Sequence, residues 1–257
     1  MLIANQVEDM IGVLTLNRPE KRNSICKEMV EQFLNTLAGF ESARVRAVIL
    51  RAADDAKVWS AGHDINELPS RRDPLMYSDP LLQLLRGIKM FPAPVIAMVH
   101  GAVWGGATDV VLSCDMAIGD ETSSFAITPV KLGLPYNLVG LMTFMRRLPL
   151  NVVKEMFFTA KPMSAQDALK WGILNHLVPA AELESFTMDL ARSIVANAPL
   201  AVSAVKEQLR ILADAGPIAP GIFERIQDLR VHVAESDDYE EGIRAFKERR
   251  KPDFRGR

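Results

Sequence analysis

Gly101-Ala102-Val103-Trp104-Gly105-Gly106-Ala107-Thr108-Asp109 is the stretch on which the reading of this chain turns. An apolar run, residues 94–99, precedes it, and a second, residues 110–112, follows. That order predicts a strand, a tight glycine turn and then a helix. The first N–H groups of a helix lack intrahelical partners, and the helix dipole adds positive potential there. An N–H exposed at such a start can bind a developing negative charge. Asp109 stands three residues after Gly106 and shares its helix face. A second glycine turn, Ser60-Ala61-Gly62-His63-Asp64, follows the apolar run 47–50. Gly105 and Gly106 alone would equally suit close packing of strand on helix. Two such turns, in this order, suggest two N–H donors converging on one oxygen, an oxyanion hole.

A chain of 257 residues can bury a large core, as one big domain or one domain with an appendage. It is 49% hydrophobic and 24% charged, which fits an ordinary globule. The net charge of −2 gives no electrostatic case for nucleic acid as the main partner. Residues 1–6 show neither a basic nor an apolar leader segment, so no signal peptide is expected. No apolar run approaches the ~20 residues that span a bilayer. Cys26 and Cys114 make neither a disulfide framework nor a four-ligand zinc site, and His100, His176 and His232 lack metal-ligand spacing. The expectation is a cytoplasmic protein without a membrane or metal partner.

Residues 2–7 and 11–16 read as a hairpin around Glu8-Asp9-Met10. Ser24 looks like a helix N-cap, followed by Ile25, Met29, Phe33, Leu37 and Phe40 at helical spacing. Residues 46–51 form a strand. Leu81, Leu84, Leu85 and Ile88 mark a helix that ends at Phe91-Pro92-Ala93-Pro94. Residues 95–99 and 114–118 are further strands, so the theme is α/β. Asp64 and Glu67 have capping-box spacing. Trp104 is expected in the core, and Cys26 near the buried face of its helix. Beyond about Pro149 the pattern turns helical. Val153, Met156 and Phe157 mark one segment, and residues 165–171, closed by Gly172, another. After Pro179 only helices are expected. One stripe is Val202, Val205, Leu209 and Leu212; the next is Phe223, Ile226 and Leu229. Gly216, Pro217, Pro220 and Gly221 separate them, and the tail 247–252 is basic.

Asn17-Arg18-Pro19 with Asn23, then residues 59–65, then residues 101–115 resemble, in order and spacing, three signatures of the crotonase (enoyl-CoA hydratase/isomerase) superfamily. The resemblance runs from about residue 10 to the C-terminal helices. It implies a spiral of ββα units, residues 1–195, that carries an acyl-CoA site. It also implies a C-terminal helical region, residues 196–257, that assembles trimers or paired trimers. Residue by residue, it makes the peptide N–H groups of His63 and Gly106 the oxyanion donors. It assigns the backbone of Ala61, Gly62, His63, Asp64 and Ile65 to the adenine and pantetheine of CoA. Thr128 becomes a pocket contact. Arg249 becomes a ligand of the CoA phosphates across a subunit boundary, with Lys21 and Arg22 as further point charges.

Hydratases of the superfamily use two glutamates. Here the first position holds Asp109, one methylene shorter, and the second holds Val130, which cannot transfer a proton. Water addition by two carboxylates is therefore not expected. The runs VWSAGHDINEL at 58–68, VWGG at 103–106 and TPVKLGLPYNLVG at 128–140 resemble the bacterial decarboxylating branch. This implies release of CO2 from methylmalonyl-CoA to give propionyl-CoA. Such a step needs no base. It leaves a thioester enolate, for which one oxyanion donor is worth ~3–4 kcal/mol. The resemblance gives Tyr136, where hydratases carry glycine, the task of gripping the substrate carboxylate. Apolar walls would favour neutral CO2 over the anion. CoA is part of the substrate, and no biotin, metal or carboxyl carrier is expected. Isomerisation or hydrolysis with Asp109 as base is the rival chemistry. A non-catalytic acyl-CoA or RNA-binding module is a further alternative, disfavoured by the charge balance.

Overall fold

The computed structural model describes residues 1–68, 76–214, 220, 221, 224, 227, 228, 231 and 234–253. Strands β1 (Ile3–Glu8) and β2 (Ile11–Leu16) form the expected antiparallel hairpin. It closes through Asp9 and Met10, both at positive φ, the two-residue turn whose twist matches that of the strands. Strands β3 (Ala47–Ala52), β5 (Val95–Val99), β7 (Met116–Gly119) and β10 (His176–Leu177) continue this sheet in parallel. Its order is β1-β2-β3-β5-β7-β10. A second sheet holds β4 (Val58–Ser60), β6 (Ala102–Trp104), β8 (Ser124–Ala126) and β9 (Met163–Ser164), in that order.

The connections make a spiral. The chain runs β3 to β4, returns through α2 (Pro80–Met90), runs β5 to β6, and returns through α3 (Gly106–Ser113) to β7 and β8. Each ββα turn thus adds one strand to each sheet, as the sequence resemblance implied. Parallel neighbours demand such crossovers. Helix α1 (Lys27–Ser42) precedes the spiral, and α4 (Leu138–Arg147), α5 (Leu150–Thr159), α6 (Ala165–Trp171), α7 (Leu183–Val195), α8 (Pro199–Asp214) and α9 (Asp237–Lys247) follow it. Phe33, Leu37, Leu84 and Ile88 from α1 and α2 pack on one face of the large sheet with Leu14, Val48 and Leu50. Leu183 and Ala191 of α7 cover the other face with Val13, Ile49, Ile96 and Ile118. Both faces are dry, which is why these strands read as unbroken apolar runs.

Several local expectations are corrected. Ser24 is not the cap of α1; that helix begins at Lys27 after Cys26, which makes no side-chain capping bond. The Ser24 hydroxyl instead accepts from Arg18 Nη1 at 3.1 Å. The Lys27 N–H donates to Glu67 Oε2 at 2.8 Å, a cap supplied from 40 residues away. The Asp64–Glu67 box is therefore half formed: Asp64 accepts from the Asn66 N–H at 3.1 Å, while Glu67 serves α1. The turn read at 101–106 contains a strand of its own, β6. Strand alternation sends Val103 into the core and leaves Trp104 half-buried on the other face, so Trp104 is not core. Asp115 precedes β7 and joins the sheet by accepting the Val95 N–H at 2.7 Å; it also pairs with Lys206 of α8 at 2.7 Å. On α8, Val205, Leu209 and Leu212 of the expected stripe are exposed in the single chain. Phe223, Ile226, Leu229, Gly216, Pro217 and His232 lie outside the described residues. Among the described residues no helix is long and apolar enough to cross a membrane.

Candidate active site

Parallel pairing of β4 with β6 sets two loops side by side, Ser60 lying opposite Val103. The first loop is pinned by backbone hydrogen bonds on both sides of His63. Ala61 N–H donates to Arg22 O at 2.9 Å, and Asp64 N–H to Ile25 O at 2.9 Å. Gly62 O accepts from Ile25 N–H at 2.7 Å, and Gly62 N–H donates to Ser60 Oγ at 3.2 Å. Fully buried Asn23 anchors the strand end, donating to Trp59 O at 3.0 Å and accepting from Ser60 Oγ through its own carbonyl at 2.7 Å. Among the described hydrogen bonds, the His63 N–H has no partner.

The second loop repeats the logic. Gly105 N–H donates to Ala126 O at 2.7 Å, and Gly105 adopts φ 55, ψ −126, a conformation open essentially to glycine alone. Gly106 is the first residue of α3, and its N–H also has no partner among the described bonds. The two free amides are neighbours. A Cβ placed on Gly106 would lie 3.7 Å from the His63 nitrogen, and one placed on Gly62 would lie 2.9 Å from the Gly106 nitrogen. Two unpaired donors, one at a helix start, face the same space, the arrangement that stabilises an oxyanion.

That space is a cavity of about 70 Å³. His63, Ile65, Gly106, Thr128 and Tyr136 line it, with Leu81, Leu134 and Pro135 as apolar walls. A larger groove of about 350 Å³ shares Ala61, His63, Ile65 and Thr128 with it and is lined further by Lys21, Arg22, Asp64, Trp104, Lys131 and Phe246. Asp64 is held by a 2.8 Å ion pair with Arg18. Burial opposes its charge, but the bonds from Arg18 and Asn66 prevail and keep its carboxyl below the usual range. The His63 ring is braced as well. Nδ1 meets Asp64 O at 3.1 Å, and Nε2 meets Asp79 Oδ2 at 3.1 Å. Burial disfavours the imidazolium, yet the bond and charge of Asp79, with the Asp64 carbonyl and the Glu67 charge, together outweigh it and the pKa is raised. The ring thus ties the first loop to Asp79, the N-cap of α2.

Tyr136 closes the inner end. Its hydroxyl donates to Asp109 Oδ2 at 3.3 Å, and both residues are buried. Asp109 Oδ1 has no partner among the described residues. Burial lifts the Asp109 carboxyl to about 6, against the pull of Lys89 and of the Tyr136 bond. Burial and the adjacent carboxylate hold the phenol far above its ordinary pKa, so it remains protonated. The contact exists because residue 140 is glycine: a Cβ there would overlap the Tyr136 ring and lie 2.8 Å from Asp109 Oδ2.

Most of the residues expected from sequence therefore converge. Asp109 stands behind Tyr136 rather than on the cavity wall. Arg249 is exposed beyond α9 and lines neither cavity of its own chain, and Val130, 38% exposed, lines neither. Sequence reasoning missed Leu81, Gly140, Lys131 and Phe246. Lys131 sits three residues after Thr128 and was the one with a legible signal, a cation in the matched segment. Leu81 read only as a core position on its helix.

The chain belongs to the enoyl-CoA hydratase/isomerase family, whose sequence pattern matches residues 6–257, and its fold is the crotonase fold. It is similar to methylmalonyl-CoA decarboxylase of Escherichia coli strain K12, 48% identical over 247 residues, 96% of this chain and 95% of that one. A solved structure of methylmalonyl-CoA decarboxylase in complex with 2-nitronate-propionyl-CoA matches with a TM-score of 0.98 at 46% identity, covering 100% of this chain and 99% of that one. The human mitochondrial enoyl-CoA hydratase domain-containing protein 3 is more distant, 32% identical over 250 residues, 95% of this chain and 80% of that protein.

Proposed function

We propose that this protein decarboxylates methylmalonyl-CoA to propionyl-CoA and CO2. The observation that carries the reading is the pair of unpartnered N–H groups, His63 and Gly106, facing a small cavity closed by a phenol. As the C–C bond to the carboxylate breaks, its electron pair moves into the thioester, and the carbonyl oxygen becomes anionic between the two amides. Losing one such donor costs ~3–4 kcal/mol in the barrier. The inner cavity, about 70 Å³, is far smaller than the neighbouring groove of about 350 Å³ and suits the short branched acyl end rather than the pantetheine arm. Tyr136 grips the carboxylate and turns the breaking bond out of the thioester plane, while Leu81, Leu134 and Pro135 disfavour the anion relative to CO2.

The wider groove takes the pantetheine and nucleotide of CoA along Ala61, Gly62, Asp64 and Ile65, with Thr128 beside the thioester. Lys21, Arg22 and Lys131 supply charge for the phosphates. Arg249 reaches a phosphate of a neighbouring subunit's CoA. That assignment goes with residues 196–257 as an assembly region of a trimer or paired trimer, supported by the exposed Val205, Leu209 and Leu212 of α8. The substrate's CoA is the sole cofactor-like group in this scheme, and two free buried thiols suit a reducing cytoplasm. Hydration is disfavoured because Val130 offers no acid and Asp109 lies behind the phenol. The test is incubation with methylmalonyl-CoA and crotonyl-CoA separately. Propionyl-CoA from the first with no hydration of the second is expected; turnover of crotonyl-CoA at a comparable rate would overturn the reading.

A further inference from the structure

Decarboxylation consumes a proton. The carboxylate leaves as CO2, its bonding pair makes the enolate, and the enolate carbon must then take one H⁺ to become propionyl-CoA. Two titratable side chains line the inner cavity, and of these both His63 ring nitrogens are already bonded, to Asp64 O and Asp79. Tyr136 is different: it lines the cavity, and its hydroxyl leads to a second, fully buried acid with one oxygen unpartnered among the described residues.

Resting on the decarboxylase reading, we propose that substrate binding loads the required proton onto Asp109, and that Tyr136 relays it to the enolate carbon after CO2 has left. Once bound, the substrate carboxylate accepts from the same phenol that Asp109 now holds. Two anions would then share one donor in a dry site, and like charges so placed cannot both stay ionised. The groups that face Asp109 are few. Lys89 reaches it from α2 and Tyr136 from the segment before α4, and α3 itself adds no second charge. Lys89 also donates to Thr143 on α4 at 3.1 Å. Its attraction is already outweighed by burial, since Asp109 is raised to about 6 with no substrate present. A second carboxylate pushes it further, so Asp109 takes up a proton from solvent as the complex forms. The neutral acid then releases the phenol toward the substrate. After CO2 departs, the phenol O–H passes its proton to the enolate carbon and takes the one on Asp109. Asp109 ends ionised, and the cycle is balanced.

Proton uptake on binding is the readout. The intact protein would be titrated calorimetrically at pH 7 in two buffers of different ionisation enthalpy. One ligand is 2-carboxypropyl-CoA, a carboxylate-bearing thioether that cannot form an enolate; the other is propionyl-CoA, which lacks the carboxylate. Between about 0.5 and 1 proton per site is expected with the first and close to none with the second. Asp109→Asn should abolish the difference while still binding both. Equal proton stoichiometry for the two ligands overturns the proposal on the parent protein alone, whether or not the variant folds. So does uptake that persists in Asp109→Asn, or failure of 2-carboxypropyl-CoA to bind. Turnover of methylmalonyl-CoA by the same preparation separates the two ideas: decarboxylation without linked uptake removes the relay and leaves the assigned reaction intact.

Discussion

Replacing Gly62 by alanine tests the two-amide geometry most directly. Gly62 has φ +82, and an added Cβ would sit 2.5 Å from Trp104 O and 2.9 Å from the Gly106 nitrogen. Two costs follow. The left-handed backbone disfavours any L side chain by about 1 kcal/mol. The contacts are with backbone, which cannot rotate away, so one loop must retreat from the other by about 0.9 Å to reach ordinary contact at 3.4 Å. A retreat of that size takes one of the His63 and Gly106 amides out of hydrogen-bond range of a shared oxygen, and a lost oxyanion donor is worth ~3–4 kcal/mol, or 10²–10³ in kcat. Gly172 supplies the control. It has φ +85, nothing within 4 Å of its absent Cβ, and a place at the end of α6. Gly172→Ala therefore carries the same backbone strain without the clash. Steady-state kinetics and thermal melts on both variants are the assay. The expected pattern is a 10²–10³-fold fall in kcat for Gly62→Ala and a small loss of Tm with unchanged kcat for Gly172→Ala. A kcat within threefold of the parent in a folded Gly62→Ala protein would refute the reasoning.

Tyr136→Phe should lower kcat by about 10- to 100-fold, the worth of a hydrogen bond to a charged group, and leave affinity for CoA itself nearly unchanged in a binding titration. Asp109 predicts a pH-dependent stability. An acid held at about 6 rather than its usual 3.8 favours folding while protonated, and that advantage is lost as pH rises from about 4 through 6. The loss approaches about 3 kcal/mol. Asp109→Asn should flatten this part of the pH profile in urea unfolding, whereas an unchanged profile would place the titration elsewhere. Leu81→Ala, by removing an apolar wall that is 2% exposed, should cost about 2–5 kcal/mol of stability. It should also raise kcat/KM for ethylmalonyl-CoA relative to methylmalonyl-CoA; an unaltered ratio would mean that another wall sets the size limit.

The longer elements were legible because their information is local. The spacing of Met29, Phe33, Leu37 and Phe40 and the apolar runs 47–50 and 95–99 carry helix and strand periods in themselves. The strands of the second sheet were not, since β4, β6 and β8 are three residues each and too short to show a period. The same limit misplaced Trp104. Caps failed where the partner was remote, as at Lys27, capped by Glu67. The stripe on α8 read correctly as a hydrophobic face, but one chain leaves its later positions exposed, and periodicity does not say what covers them.

The glycine turns, their order and the residue types at 63, 106, 109 and 136 were thus set by the sequence by itself, because a turn that needs glycine and a helix start that exposes an amide are properties of neighbouring residues. Only the tertiary structure decided which amides stay unpaired. Ala61 and Asp64 give their N–H groups to Arg22 and Ile25 on another segment, Gly62 gives its own to the Ser60 hydroxyl, and that leaves His63. The tertiary structure also decided that Tyr136 meets Asp109, 27 residues distant, because Gly140 lets the ring approach and burial lifts the acid it touches. Pairing and desolvation depend on what folding brings close, and no local pattern encodes that.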